Sequence, residues 1–154
     1  MIAVLQRISF ASVVADGVFA GKADKGMLIL LGCSEGDTKD DADVLCDKIS
    51  GLRIFEDENE KMNLSLSDVD GQVLLGPNFT LAASCRRGRR PDFGGCMKPA
   101  EAEPMFEYFR DKLTSLGIHV ETGVFGADMK IEMHGDGPVT IVLDSKALKA
   151  PRNS

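Results

Sequence analysis

The chain has 154 residues, a length that suits one domain with a single hydrophobic core. Its hydrophobic fraction of 44% and charged fraction of 27% are those of an ordinary soluble globular protein. The net charge of −6 argues against a broad nucleic-acid coat, although one local basic patch can still bind RNA. No apolar run is long enough to span a membrane, and the first residues lack the pattern of a secretory signal. We therefore expect a cytoplasmic protein with no membrane partner.

The four cysteines form no recognisable metal or disulfide pattern. None stands in a C-x-x-C pair, and only two histidines are available to complete a ligand set, so a zinc site is not expected. A disulfide framework is not expected either, because no secretory signal accompanies them. We predict reduced thiols, some buried as small apolar side chains, at Cys33, Cys46, Cys85 and Cys96.

The first part of the chain has strand-like patterns. Residues 2–7 and 12–15 are rich in β-branched and apolar side chains, and the Asp-Gly pair that follows is a turn signal. The continuous apolar run at residues 27–31 lies between two glycines, which predicts a strand buried on both faces.

Two segments have helical periodicity. In residues 37–52 apolar side chains share one helical face, and the segment opens with residues that cap helices well. In residues 99–116, Pro99 suits the first turn and Gly117 suits the position just past the end. The apolar stripe of this second helix is expected to be core rather than a binding surface and comprises Met105, Phe106, Phe109, Leu113 and Leu116.

The remaining segments are again strand-like. Residues 72–83 are interrupted by Pro77, which cannot donate to a ladder and implies an edge, a bulge or a strand start. Residues 118–125, 129–133 and 139–143 complete the strands, and an Asp-Gly-Pro turn separates the last two.

These elements predict an α+β fold, because many strands and two main helices follow one another without regular βαβ alternation. We expect mostly antiparallel β-sheets that form a barrel-like core. A single domain is predicted at residues 1–145, followed by a short polar and frayed tail at residues 146–154.

Standard catalytic motifs are absent from the sequence. There is no G-x-S-x-G elbow, no phosphate-binding glycine loop and no H-E-x-x-H helix, and His119 and His134 have no recognisable nucleophilic partner. Four arginines fall within residues 86–90, where they either contact phosphates or form a solvated loop. By residue chemistry alone the chain is a globular α+β domain with an arginine-rich loop.

Four sequence blocks add a resemblance that covers Met1 to about Leu143. They are MIAVLQRISFASV, GLRIFEDENEKMNLSLSDVDG, NFTLAASCRRGRRPDF and TGVFGADMKIEMHGDGPVT. In these blocks, and in their order, the chain resembles the D-aminoacyl-tRNA deacylase family. The resemblance implies a hydrolase that cleaves the ester of a D-aminoacyl-tRNA, and of glycine mischarged on alanine tRNA, to release free amino acid and tRNA. We expect no cofactor and assign no residue of the chain to a metal.

The resemblance also implies a homodimer whose active site lies at the subunit interface. Residues 76–81 and 135–140 would build that site. The Gly137-Pro138 bond would be cis and would reach into the pocket of the partner subunit, where main-chain carbonyls exclude the side chain of an L-amino acid. Because Gly137 has no Cβ, its backbone can approach a ligand closely. From the residues alone, a plain turn is the alternative for this segment.

Three residues carry the implied catalysis, namely Asn78, Phe79 and Thr80. The ester is already activated and the ribose 2′-OH lies beside its carbonyl, so positioning and backbone N–H donors suffice for hydrolysis. A second view makes Thr80 a nucleophile, but a threonine without an adjacent base is a weak one. Thr80 can instead donate a hydrogen bond, or serve only as a strand former.

Two further groups of residues are expected to contact the tRNA. Phe125 and Met129 match positions near the terminal adenosine in the family, and a ring and a thioether both suit an adenine face. Core packing is the alternative for this pair. The phosphates of the acceptor end would be met by Arg86, Arg87, Arg89 and Arg90.

The chain departs from the family pattern at two places. Pro77-Asn78 replaces the usual Ser-Gln, and Gly135 replaces the Asn that usually begins the Asn-x-Gly-Pro motif. A sister branch of the family, which clears L-alanine from the wrong tRNA, also carries proline at the position of Pro77. A relaxed or L-selective editing enzyme is therefore one alternative, and an inactive nucleic-acid-binding relative is another.

Overall fold

The computed structural model of the chain describes residues 1–152. Eight strands run as β1 Ile2–Ala15, β2 Val18–Ala23, β3 Gly26–Gly32, β4 Phe55–Glu56, β5 Met62–Leu64, β6 Gln72–Pro77, β7 His119–Thr122 and β8 Met129–Asp144. The helices are α1 Lys39–Gly51, α2 Pro99–Ser115, the short α3 Ser145–Lys149 and a single 3-10 turn at Phe79–Ala82.

Strand β1 is the centre of the main sheet. Antiparallel β8 lies along one edge of β1, and the other edge is shared by β3 near its start and β2 near its end. The sheet continues from β3 to β6 and from β6 to β7 in parallel pairs. The backbone N–H of Lys22 in β2 donates to the Glu121 carboxylate in β7 at 3.0 Å, so the sheet curls almost into a closed barrel.

The predicted α+β class with a barrel-like core is confirmed, although the sheet is more mixed than expected. Antiparallel pairing holds for β1 with its three neighbours, whereas β3, β6 and β7 run parallel. Parallel neighbours need a crossover connection, and here α1 precedes β6 and α2 precedes β7. The carboxyl ends of β3, β6 and β7 therefore lie at the same edge of the sheet.

The core fills both faces of the central strands. Met27 and Ile29 pack toward the helices, whereas Leu28 belongs to a smaller cluster on the opposite face. The predicted two-sided burial of residues 27–31 is thus confirmed in large part. Helix α2 buries Phe106, Phe109 and Leu113 of its predicted stripe, while Met105 is partly buried and Leu116 is exposed at its end.

Several element boundaries differ from the predictions. Strand β1 is continuous because residues 8–11 pair with β8 through small register shifts rather than ending the strand. Strand β8 likewise runs through the Asp-Gly-Pro segment, which forms a bulge opposite β1 instead of a turn. Residues 79–82 form a 3-10 turn, so the expected strand ends at Pro77, which has no N–H to continue a ladder.

The tail after the last strand was predicted to be polar and frayed, and its first part, Ser145–Lys149, forms α3. Ser145 is fully buried, and its hydroxyl accepts from the Met1 amino group at 3.0 Å and donates to Asp41 at 2.8 Å. Lys149 pairs with the same Asp41 carboxylate at 2.8 Å. Polar tail residues are therefore tied to both the N-terminus and α1. Residues 153–154 lie outside the described part.

No helix within residues 1–152 combines the length and the apolar character that a membrane crossing requires. The same residues contain no group of three or more His, Cys, Asp or Glu side chains arranged to hold a metal ion. The four cysteines are free thiols.

Candidate active site

A groove of about 540 Å³ opens at the carboxyl ends of the parallel strands. It lies between the end of β6, the 3-10 turn, the start of α2 and the loop that leads into β8. Its lining is largely apolar and comprises Leu31, Cys33, Pro77, Asn78, Phe79, Phe93, Cys96, Met97, Lys98, Pro99, Ala102, Phe106, Phe125, Gly126, Ala127 and Met129. Clefts at this edge of parallel strands are common ligand sites.

The 3-10 turn is fixed against the end of β3. The Asn78 backbone N–H donates to the Leu31 carbonyl at 2.8 Å, which directs the chain out of β6 and into the turn. Gly32 permits this close approach, because a Cβ there would lie 2.7 Å from the Leu81 Cβ and 2.9 Å from the Asn78 carbonyl oxygen. The turn therefore depends on a glycine in the neighbouring strand.

The turn presents polar groups at the mouth of the groove. The Thr80 hydroxyl donates to the Asn78 side-chain oxygen at 2.5 Å. Within residues 1–152, no hydrogen-bond acceptor pairs with the backbone N–H of Phe79 or Thr80. The turn therefore offers two main-chain donors, together with a threonine whose only close partner is an amide, which is not a base.

Phe125 and Met129 line the same groove as Asn78 and Phe79 of the 3-10 turn segment. Both are only partly buried, and the Phe125 ring packs at 6.3 Å from that of Phe106. The Met129 thioether lies against Gly123, where an added Cβ would be 2.5 Å from its sulfur. Phe125 packs against the main core and Met129 against the smaller cluster, and each also lines the groove.

The Gly137-Pro138 segment lies elsewhere. Its peptide bond is cis, as predicted, and the segment sits in the bulge of β8 rather than in the groove of its own chain. Gly137 has a φ of +127°, and a Cβ there would lie 2.9 Å from the Val139 nitrogen and 3.1 Å from the Arg7 guanidinium. This backbone conformation is one that glycine adopts readily and other residues rarely adopt.

Arg7 is the buried residue that holds this bulge, and the sequence predictions did not single it out. Its guanidinium donates to the Ile54 carbonyl at 2.7 Å and to the Asp136 carbonyl at 3.1 Å, and it lies 3.5 Å from the Asp136 carboxylate. Only 5% of Arg7 is exposed. The alternation of side chains along β1 could have predicted this burial, because Arg7 lies on the same face of the strand as the buried Ala3 and Leu5.

The predicted phosphate-binding arginines occupy an exposed loop close to the groove. Two backbone hydrogen bonds of 2.8 Å between Ser84 and Asp92 close this loop, which we call the arginine hairpin (residues 84–92). All four arginines are exposed at its tip. Phe93 follows the hairpin directly and lines the groove, so the two features are contiguous along the chain.

The cysteines of the groove are poor candidates for catalysis. Burial, followed by the charge of Asp37, raises the pKa of Cys33 to about 11. Burial and the charge of Asp92 also raise the pKa of Cys96, whose thiol donates to the Phe79 carbonyl at 3.3 Å. Both remain protonated thiols near neutral pH and are not nucleophiles. His119 and His134 are exposed and lie outside the groove.

Comparison with known proteins agrees with this geometry. A family model described as D-Tyr-tRNA(Tyr) deacylase matches residues 4–144. The chain is 51% identical over 146 residues to a D-aminoacyl-tRNA deacylase of Caldicellulosiruptor saccharolyticus, covering 95% of this chain and 98% of that one. It is 50% identical over 143 residues to a D-aminoacyl-tRNA deacylase of Koribacter versatilis, with coverage of 93% and 96%.

A solved structure is similar as well. The c-Myc DNA Unwinding Element Binding Protein superimposes with a TM-score of 0.88 at 35% sequence identity, covering 94% of this chain and 98% of that one. The family match and the relatives span nearly the whole chain and include every residue of the groove. The chain therefore belongs to the D-Tyr-tRNA(Tyr) deacylase family.

Proposed function

We propose that the chain is a D-aminoacyl-tRNA deacylase that hydrolyses the ester between a D-amino acid and the 3′ end of tRNA. One observation carries the proposal. The groove brings the 3-10 turn next to Phe125 and Met129, which have the shape and polarity to hold a terminal adenosine. The Phe79 and Thr80 N–H groups of that turn have no acceptor in the described part of the chain. The relatives that carry this activity in their names are about 50% identical over nearly the full chain.

The chemistry that we propose is positioning and charge stabilisation. The N–H groups of Phe79 and Thr80 point from the first turn of a 3-10 segment, where they can stabilise the oxyanion that develops on the ester carbonyl. The ribose 2′-OH of the substrate supplies the neighbouring hydroxyl. Thr80 then acts as a hydrogen-bond partner of Asn78 and not as a nucleophile, since its hydroxyl has no base beside it.

Selectivity for the D-configuration is assigned to Gly137 and Pro138 of a second subunit. This segment does not line the groove of its own chain, and rigid main chain cannot swing aside as a side chain could. A homodimer would place it at the mouth of the partner subunit's groove. Two exposed apolar side chains on β8, Ile131 and Met133, support an interface along this strand.

The arginine hairpin would hold the phosphates of the acceptor end. Its charge is local and contrasts with the net charge of −6 of the whole chain, so the tRNA is drawn to one face. Glycine mischarged on alanine tRNA is a further substrate under this proposal, because glycine has no side chain for main-chain carbonyls to exclude.

A second candidate function is the editing of an L-aminoacyl-tRNA. It is favoured by Pro77, which lines the groove where the family usually has serine and offers neither a hydroxyl nor an N–H. One experiment decides between the two. Deacylation of matched D-Tyr-tRNA, L-Tyr-tRNA and Gly-tRNA should proceed for the D-tyrosyl and glycyl esters and spare the L-tyrosyl ester. Rapid loss of the L-ester would favour the second candidate, and no turnover of any ester would contradict both.

A further inference from the structure

Two phenylalanine rings stand exposed at the entrance of the groove without a function in the scheme above. The Phe79 side chain is 57% exposed and the Phe93 side chain is 44% exposed. Their ring centroids are 5.3 Å apart and their planes meet at 64°, an edge-to-face contact. We call them the aromatic pair. A single exposed ring is ordinary, but two exposed rings in contact beside a groove form an apolar patch of the kind that marks a binding site.

The aromatic pair is held in place by its backbone. The Phe93 carbonyl accepts from the Cys96 N–H at 3.0 Å, and the next residue, Gly94, donates its N–H to the Asp92 carboxylate at 2.8 Å. The Phe79 carbonyl accepts from the Cys96 thiol. Both backbones are thus fixed to the same short segment while the rings point outward. A preorganised aromatic surface binds a flat ligand at low entropic cost.

The position of the pair identifies the ligand. On one side lies the groove that would hold the terminal adenosine, and on the other lies the arginine hairpin, whose base adjoins Phe93. The unpaired 3′ strand of a tRNA that occupies both must pass over the pair. Aromatic side chains are the usual partners of unstacked bases in single-stranded RNA.

We propose that Phe93, supported by Phe79, stacks on the base of the nucleotide that precedes the terminal adenosine. This inference rests on the proposed function and adds a second nucleotide to the site. Because the two ring planes meet at 64°, a planar base that stacks on Phe93 cannot also stack on Phe79, which contacts Phe93 edge to face and supports it. Such stacking reads no sequence, so the contact would serve every tRNA with an unpaired 3′ end.

A double-mutant cycle on D-Tyr-tRNA tests the contact. The substrate carries either the natural penultimate nucleotide or an abasic one, and the enzyme is wild type or Phe93→Leu. Each single change should lower kcat/KM about tenfold. Both changes together should lower it little more than either alone. Phe19→Leu is the matched control, because Phe19 is 60% exposed on β2 and does not line the groove.

Independent effects that multiply to about a hundredfold would overturn the proposal, because a residue and a base that do not touch lose their contributions separately. Phe93→Tyr should restore the wild-type value, which separates loss of stacking from loss of folding. Should Phe93→Leu not fold, the comparison of abasic and intact substrate on the wild-type enzyme remains, and equal rates would then contradict the contact.

A binding measurement keeps this inference distinct from the proposed activity. A tRNA with an amide-linked D-tyrosine and 2-aminopurine at the penultimate position cannot be hydrolysed, and its fluorescence reports stacking. Wild-type enzyme should change that fluorescence, and Phe93→Leu should remove most of the change. An enzyme that hydrolyses no aminoacyl-tRNA would contradict the proposed function alone. Normal hydrolysis with no fluorescence change on binding would contradict only the stacking contact.

Discussion

Thr80 and Gly137 are the two residues at which a small substitution separates the possible mechanisms. Among residues 1–152, the hydrogen-bond partner of Thr80 Oγ1 is the Asn78 amide oxygen, which can position the hydroxyl but is not a base that activates it. Gly137 lies in a backbone region that glycine favours and is packed against main-chain and guanidinium atoms. The first residue tests the chemistry, and the second tests the shape of the segment that we assign to chiral selection.

Thr80→Ala should lower kcat/KM for D-Tyr-tRNA by about tenfold at most, because it removes one neutral hydrogen bond worth roughly 0.5–1.5 kcal/mol. A nucleophile would instead cost several orders of magnitude. Single-turnover hydrolysis is the measurement, with circular dichroism to confirm the fold. A variant that stays folded and binds tRNA but does not turn over would contradict the 2′-OH mechanism.

Gly137→Ala should lower kcat/KM for D-Tyr-tRNA far more than Thr80→Ala does, by roughly a hundredfold or greater. A displacement of about 1 Å in a segment that positions the substrate is enough to cause a loss of this size. The added Cβ would lie 2.9 Å from the Val139 nitrogen, so the bulge itself must shift. Gly117→Ala is the matched control, because Gly117 also has positive φ but has open space around its Cβ. Equal behaviour of the two variants would show that backbone strain alone explains the loss.

Arg7→Met should lower both stability and activity. The substitution preserves an unbranched side chain but leaves the Ile54 and Asp136 carbonyls without their buried donor. We expect the free energy of unfolding to fall by about 1–3 kcal/mol in a urea titration. We also expect kcat/KM for D-Tyr-tRNA to fall further than in Thr80→Ala. A stable variant with full activity would show that the bulge holds its shape without Arg7.

At the scale of elements, the sequence predicted periodic segments better than irregular ones. Helix α2 ends where Gly117 follows it, and the run at residues 27–31 is a buried strand, because both depend on local patterns. The Asp-Gly-Pro segment has the local composition of a turn. It remains in β8 because β1 pairs with the strand on both sides of it and Arg7 binds the Asp136 carbonyl. Such long-range pairing leaves no local pattern.

The candidate site was predictable only through the family. The resemblance predicted one site for the 3-10 turn, Phe125 and Met129, and the residues of this set that line the groove are Asn78, Phe79, Phe125 and Met129. Phe93, Cys96 and Lys98 also line the groove, but no local rule selects them from their surface-like surroundings. Arg7 was the residue that pattern alone could have found, since a charged side chain in an inward-facing strand position must have a buried partner.

The C-terminal helix gives a pH-dependent prediction. Although burial raises the pKa of Asp41, hydrogen bonds from Lys149, the Thr38 N–H and Ser145 outweigh it and hold that pKa well below its usual range. The stabilisation is therefore complete above the ordinary value of about 3.9 and is lost as the pH falls below it. Lys149→Met should therefore lower the free energy of unfolding at pH 7 by a small amount, as expected for an ion pair with an exposed lysine.

The difference between wild type and Lys149→Met should shrink as the pH falls below about 4, because Asp41 in the variant lacks the Lys149 hydrogen bond that lowers its pKa and therefore binds a proton before the wild-type carboxylate does. Lys146→Met is the control, since Lys146 is exposed in the same helix and forms no ion pair with Asp41 among the described residues. Urea titrations at several pH values give the measurement. A difference that is constant with pH would mean that Lys149 stabilises the helix through packing and not through its charge.

At the scale of the whole molecule, the groove and the segment that we assign to chiral selection lie apart within a single chain. The groove, the 3-10 turn and the arginine hairpin lie together, but the Gly137-Pro138 bulge lies outside the groove. Along β8, one edge pairs with β1, and Ile131 and Met133 are exposed. A two-fold dimer through such a surface would exchange the bulge between subunits, since each copy contributes the same patch.

Mixed dimers test whether the site is shared. Ala127→Trp should block the groove, because Ala127 lines it, and Gly137→Ala should damage the bulge. Each variant alone should be nearly inactive. After the two are unfolded together and refolded, half of the dimers are mixed, and each has one intact groove that faces one intact bulge. Because one of two sites works in half of the dimers, about a quarter of wild-type D-Tyr-tRNA hydrolysis should return.

If groove and bulge served the same chain, no mixed dimer would contain a complete site and no activity would return. A species that sediments only as a monomer at micromolar concentration would exclude the shared site by itself.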